Sequence, residues 1–159
     1  MFIELMKTES LGFQKVLDYM RRVLIYMKLY KYKETLEQLI EENGDTGFIK
    51  IENDVNCLIS PEHTIIATGG SAVYGDEAME HFKQIGTVIY LKVSEKELES
   101  RLGSLKERGV VSNGKSTVEE IFEDRKRLYE KYADITIVQE GRDIRIIVED
   151  MYKKLTNLI

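Results

Sequence analysis

The chain has 159 residues, 43% of them hydrophobic and 32% charged, with a net charge of −5 at pH 7. That suits one ordinary soluble domain spanning residues 1–159, with a proper core, and is too short for two. The acidic balance gives no electrostatic reason to expect nucleic acid or an anionic membrane as a partner, the single Cys57 excludes an intramolecular disulfide, and no apolar run approaches membrane length.

Residues 2–6 form a short apolar run that predicts a strand. From 11 to 42 the pattern is nearly uninterrupted helix, with Gly12 near its start, no proline, and Asn43-Gly44 as its stop. Tyr and β-branched residues around 24–32 mark where that helix would break. Its Leu, Ile, Met and Tyr content is either core or a surface on which copies of the chain associate into a homo-oligomer. Thr64–Ala67 reads as a buried strand ending in Thr68-Gly69-Gly70-Ser71, a loop whose backbone another molecule can approach. A short helix follows over 75–84, with Ala78, Met79 and Phe82 at helical spacing, then a β-branched strand over 87–93. Ser94 with Glu97 three residues on is a capping box, and the helix it opens carries Leu98 and Leu102 and fades near Arg108. Ser116 or Thr117 caps the next helix, which runs through Ile121, Phe122 and Leu128 to about Tyr132. A strand over 134–138 and an amphipathic helix over 142–158 close the chain. Strands alternating with helices predict a doubly wound α/β fold, its parallel sheet covered on both faces.

The Gly-Gly loop beside a parallel sheet is a usual place for a small substrate. Laid end to end, the segments from Thr35 to Val138 resemble shikimate kinase. The run 36–44 looks like the family's helix before its Phe-Arg-x-x-Glu motif, and Phe48-Ile49-Lys50-Ile51-Glu52 stands in that motif's place. Ala67-Thr68-Gly69-Gly70-Ser71-Ala72-Val73 is similar to Ala-Thr-Gly-Gly-Gly-Ala-Val. Val88-Ile89-Tyr90-Leu91 with Ser94 matches the next strand and cap, and Arg125-Lys126-Arg127-Leu128-Tyr129 followed by Tyr132-Ala133-Asp134 resembles Arg-x-Pro-Leu-Tyr and its continuation.

The resemblance implies the P-loop fold of nucleoside-monophosphate kinases, a cytoplasmic place in aromatic amino acid biosynthesis, and transfer of phosphate from ATP, with magnesium, to the 3-hydroxyl of shikimate. Gly69, Gly70, Ser71 and Arg125 would then hold the small-molecule substrate, Arg101 would pack on the adenine, and Arg108 would reach the reacting phosphate. A carboxylate with ring hydroxyls independently calls for a guanidinium fork and open backbone N–H groups. The motif's substrate arginine is Ile49 here, and the neighbouring Lys50 would point about 100° away on a helix. No aspartate stands between Leu24 and Glu34, where the family places one after its second strand. In this fold the first strand lies at the centre of the sheet, and residues 2–6 are placed to fill that slot.

Gly109-Val110-Val111-Ser112-Asn113-Gly114-Lys115-Ser116 satisfies G-x-x-x-x-G-K-[ST], but a charged helix end precedes it rather than a strand, so the match reads as coincidence. Where the family's phosphate loop belongs, residues 7–15 carry one glycine, Gly12, while Glu9 would face phosphate and Lys15 alone could imitate the loop lysine. Residues 8–33 read as a diverged or frame-disrupted replacement of loop, first helix and second strand. Three functions follow: a shikimate-kinase-like protein of weak or lost activity, a small-molecule kinase with an unrecognised nucleotide site, or a non-catalytic binding or assembly module on the same fold.

Overall fold

A computed structural model describes residues 2–5, 36–61, 64–102 and 111–157 of the chain. Four strands, β1 (Phe2–Leu5), β2 (Thr64–Ala67), β3 (Thr87–Lys92) and β4 (Ile135–Val138), form one sheet in the order β2-β1-β3-β4. Among the described residues five helices accompany them: α1 (Leu36–Cys57), α2 (Asp76–Ile85), α3 (Glu95–Leu102), α4 (Val118–Tyr132) and α5 (Ile144–Thr156). A short 3-10 turn, Ala72–Tyr74, links β2 to α2.

The predicted strands β2, β3 and β4 all run the same way. β3 pairs with β4 in parallel, Ile89 opposite Ile135 and Lys92 opposite Val138, and β2 and β3 are each antiparallel to the strand between them. That strand is β1, in the slot expected for residues 2–6. It runs antiparallel to both neighbours, with Phe2 opposite Ala67 on one side and Ile89 on the other. Most of the predicted helix over 11–42 lies outside the described residues, as do its possible break and the 7–15 segment.

Alternation along β3 sends its side chains to two cores. Val88 joins Ile66, Val73, Ala78, Met79, Phe82 and Tyr132 beneath α2 and α4, while Ile89 joins Ile135, Ile137, Ile147 and Leu155 beneath α5. Helices therefore cover both faces, the doubly wound arrangement the sequence predicts. Each fully buried side chain of this kind contributes about 1.5–3 kcal/mol relative to exposure.

Capping fixes the helix ends. Thr117 and Glu120 form a complete capping box on α4. The closing helix starts at Ile144 rather than 142 because Asp143 is its cap, accepting from the Arg145 N–H at 2.8 Å. Arg142 instead folds back, donating to the Val138 carbonyl and to Asp150 at 2.6 Å. The start of α2 is capped from a distance: Asn53 of α1 accepts from the Ala78 N–H at 3.0 Å and donates to Glu77 at 2.8 Å. Helix α1 itself breaks at Gly44, whose φ of 66° and ψ of 176° interrupt the helical path where Asn43-Gly44 predicts a stop. A second helical stretch continues from there to Cys57 and carries Phe48 and Glu52 into the interior.

Candidate functional site

The loop leaving β2 is walled by two helices. From α1 comes Glu52, only 4% exposed. From α4 come Arg125 and Tyr129, one helical turn apart and so on one face. The Tyr129 hydroxyl donates to the Gly70 carbonyl at 2.8 Å, which locks the loop against α4. A Cβ at position 70 would lie 2.8 Å from Arg125 Nη1 and 3.2 Å from the Tyr129 hydroxyl, so only glycine lets the guanidinium approach this closely. A Cβ at position 69 would lie 3.2 Å from Glu52 Oε1.

Charge at this site is only partly compensated. Burial pushes the Glu52 carboxyl above its ordinary value, against the Ser71 hydroxyl bonded to it and the Arg125 charge, which pull it down. Glu52 Oε2 and Arg125 Nε are buried without a hydrogen-bond partner among the described residues. Arg125 Nη2 donates to the Val111 carbonyl at 2.6 Å, and the guanidinium carbon sits 5.5 Å from the centre of the Tyr74 ring. Beneath it Tyr129 packs on Tyr90 with ring centres 5.0 Å apart, and burial raises both phenols, Tyr90 to about 12. A guanidinium fork, a buried carboxylate and an open backbone loop can together receive a small molecule bearing a carboxylate and hydroxyls.

The fold thus brings Gly69, Gly70, Ser71 and Arg125 together. Arg101 belongs to α3, and its side chain lies outside the described residues, as does all of Arg108. Ile49 packs with Phe48, Leu39 and Val111 in a separate apolar cluster, and Lys50 is exposed. Glu52 joins Gly69, Gly70, Ser71 and Arg125 as a site residue not expected from the sequence. Its signal was the four-residue step from Phe48, which puts both on the inward face of one helix.

The described part of the G-x-x-x-x-G-K-[ST] run is a turn with Asn113 at φ 50° and Gly114 at φ 78°. Its N–H groups do converge on an anion, and that anion is Asp45. Oδ2 accepts from the Ser112 N–H at 2.8 Å, the Ser112 hydroxyl at 2.6 Å and the Asn113 N–H at 2.9 Å. Burial of Asp45 opposes ionisation, yet these bonds outweigh it and hold the carboxyl below its ordinary value. A turn already carrying a carboxylate does not fit a triphosphate. Among the described residues no three His, Cys, Asp or Glu side chains form a metal-binding group.

Helices on both faces of a sheet with parallel β2, β3 and β4, and a Gly-Gly loop at the end of β2, define an α/β fold of the small-molecule kinase type. Comparison with known proteins gives the family. A shikimate kinase family model matches residues 30–156. The shikimate kinase of Thermodesulfovibrio yellowstonii is 32% identical over 126 residues, covering 77% of this chain and 72% of that protein. Those of Lactococcus lactis and Aquifex aeolicus are 31% and 28% identical, covering 75% and 68% of their lengths and 76% and 72% of this one. A crystal structure of shikimate kinase from Bacteroides thetaiotaomicron superposes with a TM-score of 0.62 at 24% identity, over 84% of this chain and 79% of that one. The chain belongs to the shikimate kinase family. Family membership supports a kinase-like function on small molecules, and among the described residues no helix is long and apolar enough to cross a membrane.

Proposed function

We propose that these 159 residues retain the acceptor half of a shikimate kinase, bind shikimate or a close analogue, and transfer phosphate from ATP at a rate near background. The observation that carries the first part is the convergence of Glu52, Ser71, Arg125 and Tyr129 on Gly69-Gly70, with Glu52 Oε2 and Arg125 Nε left unpartnered. Buried polar atoms without partners are costly, about 1–3 kcal/mol each, and a ligand carboxylate and hydroxyls would satisfy them. In this reading Arg125 receives the carboxylate, Glu52 and the loop receive hydroxyls, and Arg101 and Arg108 keep the nucleotide-side roles the family resemblance gives them.

Weak transfer follows from three features. Ile49 removes one of the family's acceptor arginines and puts an apolar side chain in its place. The G-x-x-x-x-G-K-[ST] run is engaged by Asp45. In sequence, residues 7–15 carry a single glycine and the carboxylate of Glu9 where the family's phosphate loop belongs. Phosphoryl transfer depends on positioning and charge neutralisation, and each such contact is worth roughly 3 kcal/mol in the transition state. The test pairs calorimetric titration of shikimate with a coupled ADP-release assay, using Arg125→Ala as control. Shikimate binding that Arg125→Ala abolishes, with ADP release at the enzyme-free rate, supports the reading. Shikimate-dependent turnover that the same change removes would overturn its second part, and absence of shikimate binding would overturn its first.

A further inference from the structure

Arg125 has to present its guanidinium beside Gly70, and one peptide group decides where that guanidinium rests. Its Nη2 donates to the Val111 carbonyl at 2.6 Å. The N–H at the other end of the same peptide plane belongs to Ser112, and it donates to Asp45 at 2.8 Å. A trans peptide points its C=O and N–H in opposite directions. The Val111–Ser112 unit therefore lies in line between a carboxylate and a guanidinium, with the negative group on its N–H end and the positive group on its carbonyl end. Both charges polarise the unit in the same sense, so each bond strengthens the other. The Ser112 hydroxyl and the Asn113 N–H hold the same Asp45 oxygen, and Val111, 4% exposed, is packed with Leu39 and Phe48, so the unit cannot easily rotate.

We infer that Asp45, at the bend of α1, is a positioning residue for Arg125: through the Val111–Ser112 peptide it fixes the guanidinium at the Gly69-Gly70 loop. This deepens the acceptor-site reading and rests on it for its functional meaning. Asp45 touches no ligand in this scheme. Its effect is to fix the free site in the shape that receives a carboxylate, so that less order is lost on binding.

The test separates the two claims. In ligand-free 15N-labelled protein, slow rotation about the Arg125 Cζ–Nε bond should give distinct Nη signals, assigned by their disappearance in Arg125→Lys. Asp45→Ala should merge them. Asp45→Asn keeps an acceptor oxygen but loses the charge, and should speed the rotation while the backbone spectrum stays that of the folded protein. Should Asp45→Ala fail to fold, Asp45→Asn decides. Arg125 signals identical to the parent's in the folded variants would overturn the inference, whatever the protein binds. Shikimate titration then measures the consequence, expected as affinity about tenfold weaker in Asp45→Asn. A parent chain that binds no shikimate would sink the acceptor reading and leave the Arg125 signals as judge of Asp45.

Discussion

Position 70 is constrained by its neighbours rather than by its own backbone. Arg125 Nη1 would lie 2.8 Å from a Cβ there, so Gly70→Ala must push the guanidinium away from the loop. We expect shikimate affinity to fall at least about tenfold by calorimetry, the loss of one charge-assisted hydrogen bond, with little change in thermal midpoint. Glu52 gives a pH-dependent prediction. Its carboxyl titrates at the ordinary 4.5 in the unfolded chain and, because burial outweighs Ser71 and Arg125, higher in the folded one. The ionised form is therefore a burden on the native state above the folded value, and that burden is relieved as pH falls. Glu52→Gln should raise the unfolding midpoint at pH 7 and lose that advantage as pH approaches 4.5, while weakening shikimate binding. An equal midpoint difference at both pH values would contradict the burial argument. Asp45 has the opposite sign. Its folded value lies below the ordinary 3.8, so its contribution is complete above that pH and disappears only as pH falls through the lower folded value. Neither carboxylate could be ranked from sequence alone, because the burial that raises Glu52 and the Ser112 and Asn113 bonds that lower Asp45 are set by residues distant in the chain.

At the scale of elements, the local rules carried most of the reading. Asn43-Gly44 marks the break in α1, Thr117, one of the two predicted caps, opens α4, and the β-branched runs become β3 and β4. Where the reading missed, a long-range contact was the reason. Nothing around Gly75 announces that α2 is capped by Asn53, about one helix back along the chain. The direction of β1 was equally hidden: a four-residue run alternates identically whether its neighbours run with it or against it. Asn53 therefore makes a sharp test of element docking. Asn53→Ala removes the Ala78 cap and the Glu77 bond together and should cost about 1–2 kcal/mol in urea unfolding. Thr117→Ala removes a local cap of the same kind and should cost about 1 kcal/mol. Only Asn53→Ala should also weaken acceptor binding, because α1 carries Glu52 and the loss loosens its hold on α2. Equal binding by both variants would mean that α1 is held elsewhere.

For the molecule as a whole, the acceptor cluster and the fold are one problem. Glu52 arrives on α1, Gly69-Gly70 at the end of β2, Arg125 and Tyr129 on α4, and the cores on both sheet faces hold these elements in register. A ligand that satisfies Glu52 and Arg125 binds only when all three are assembled, so it stabilises the folded state by mass action. At a concentration about 100 times its Kd that stabilisation is about 2.7 kcal/mol. For a chain of this size it corresponds to a rise in thermal midpoint of about 5–10 °C. We therefore expect saturating shikimate, in the absence of any nucleotide, to raise the midpoint by that amount in the parent chain. The shift should vanish in Arg125→Ala, whose own midpoint should fall because the change removes the positive charge that favours ionised Glu52 and the bond to the Val111 carbonyl. ATP with magnesium added alone should leave the midpoint where it was, since Asp45 already engages the described N–H groups of the G-x-x-x-x-G-K-[ST] run. A nucleotide-induced shift matching that of shikimate would show that phosphate is held in spite of Asp45, and Lys15 and Lys115 would be the first to replace.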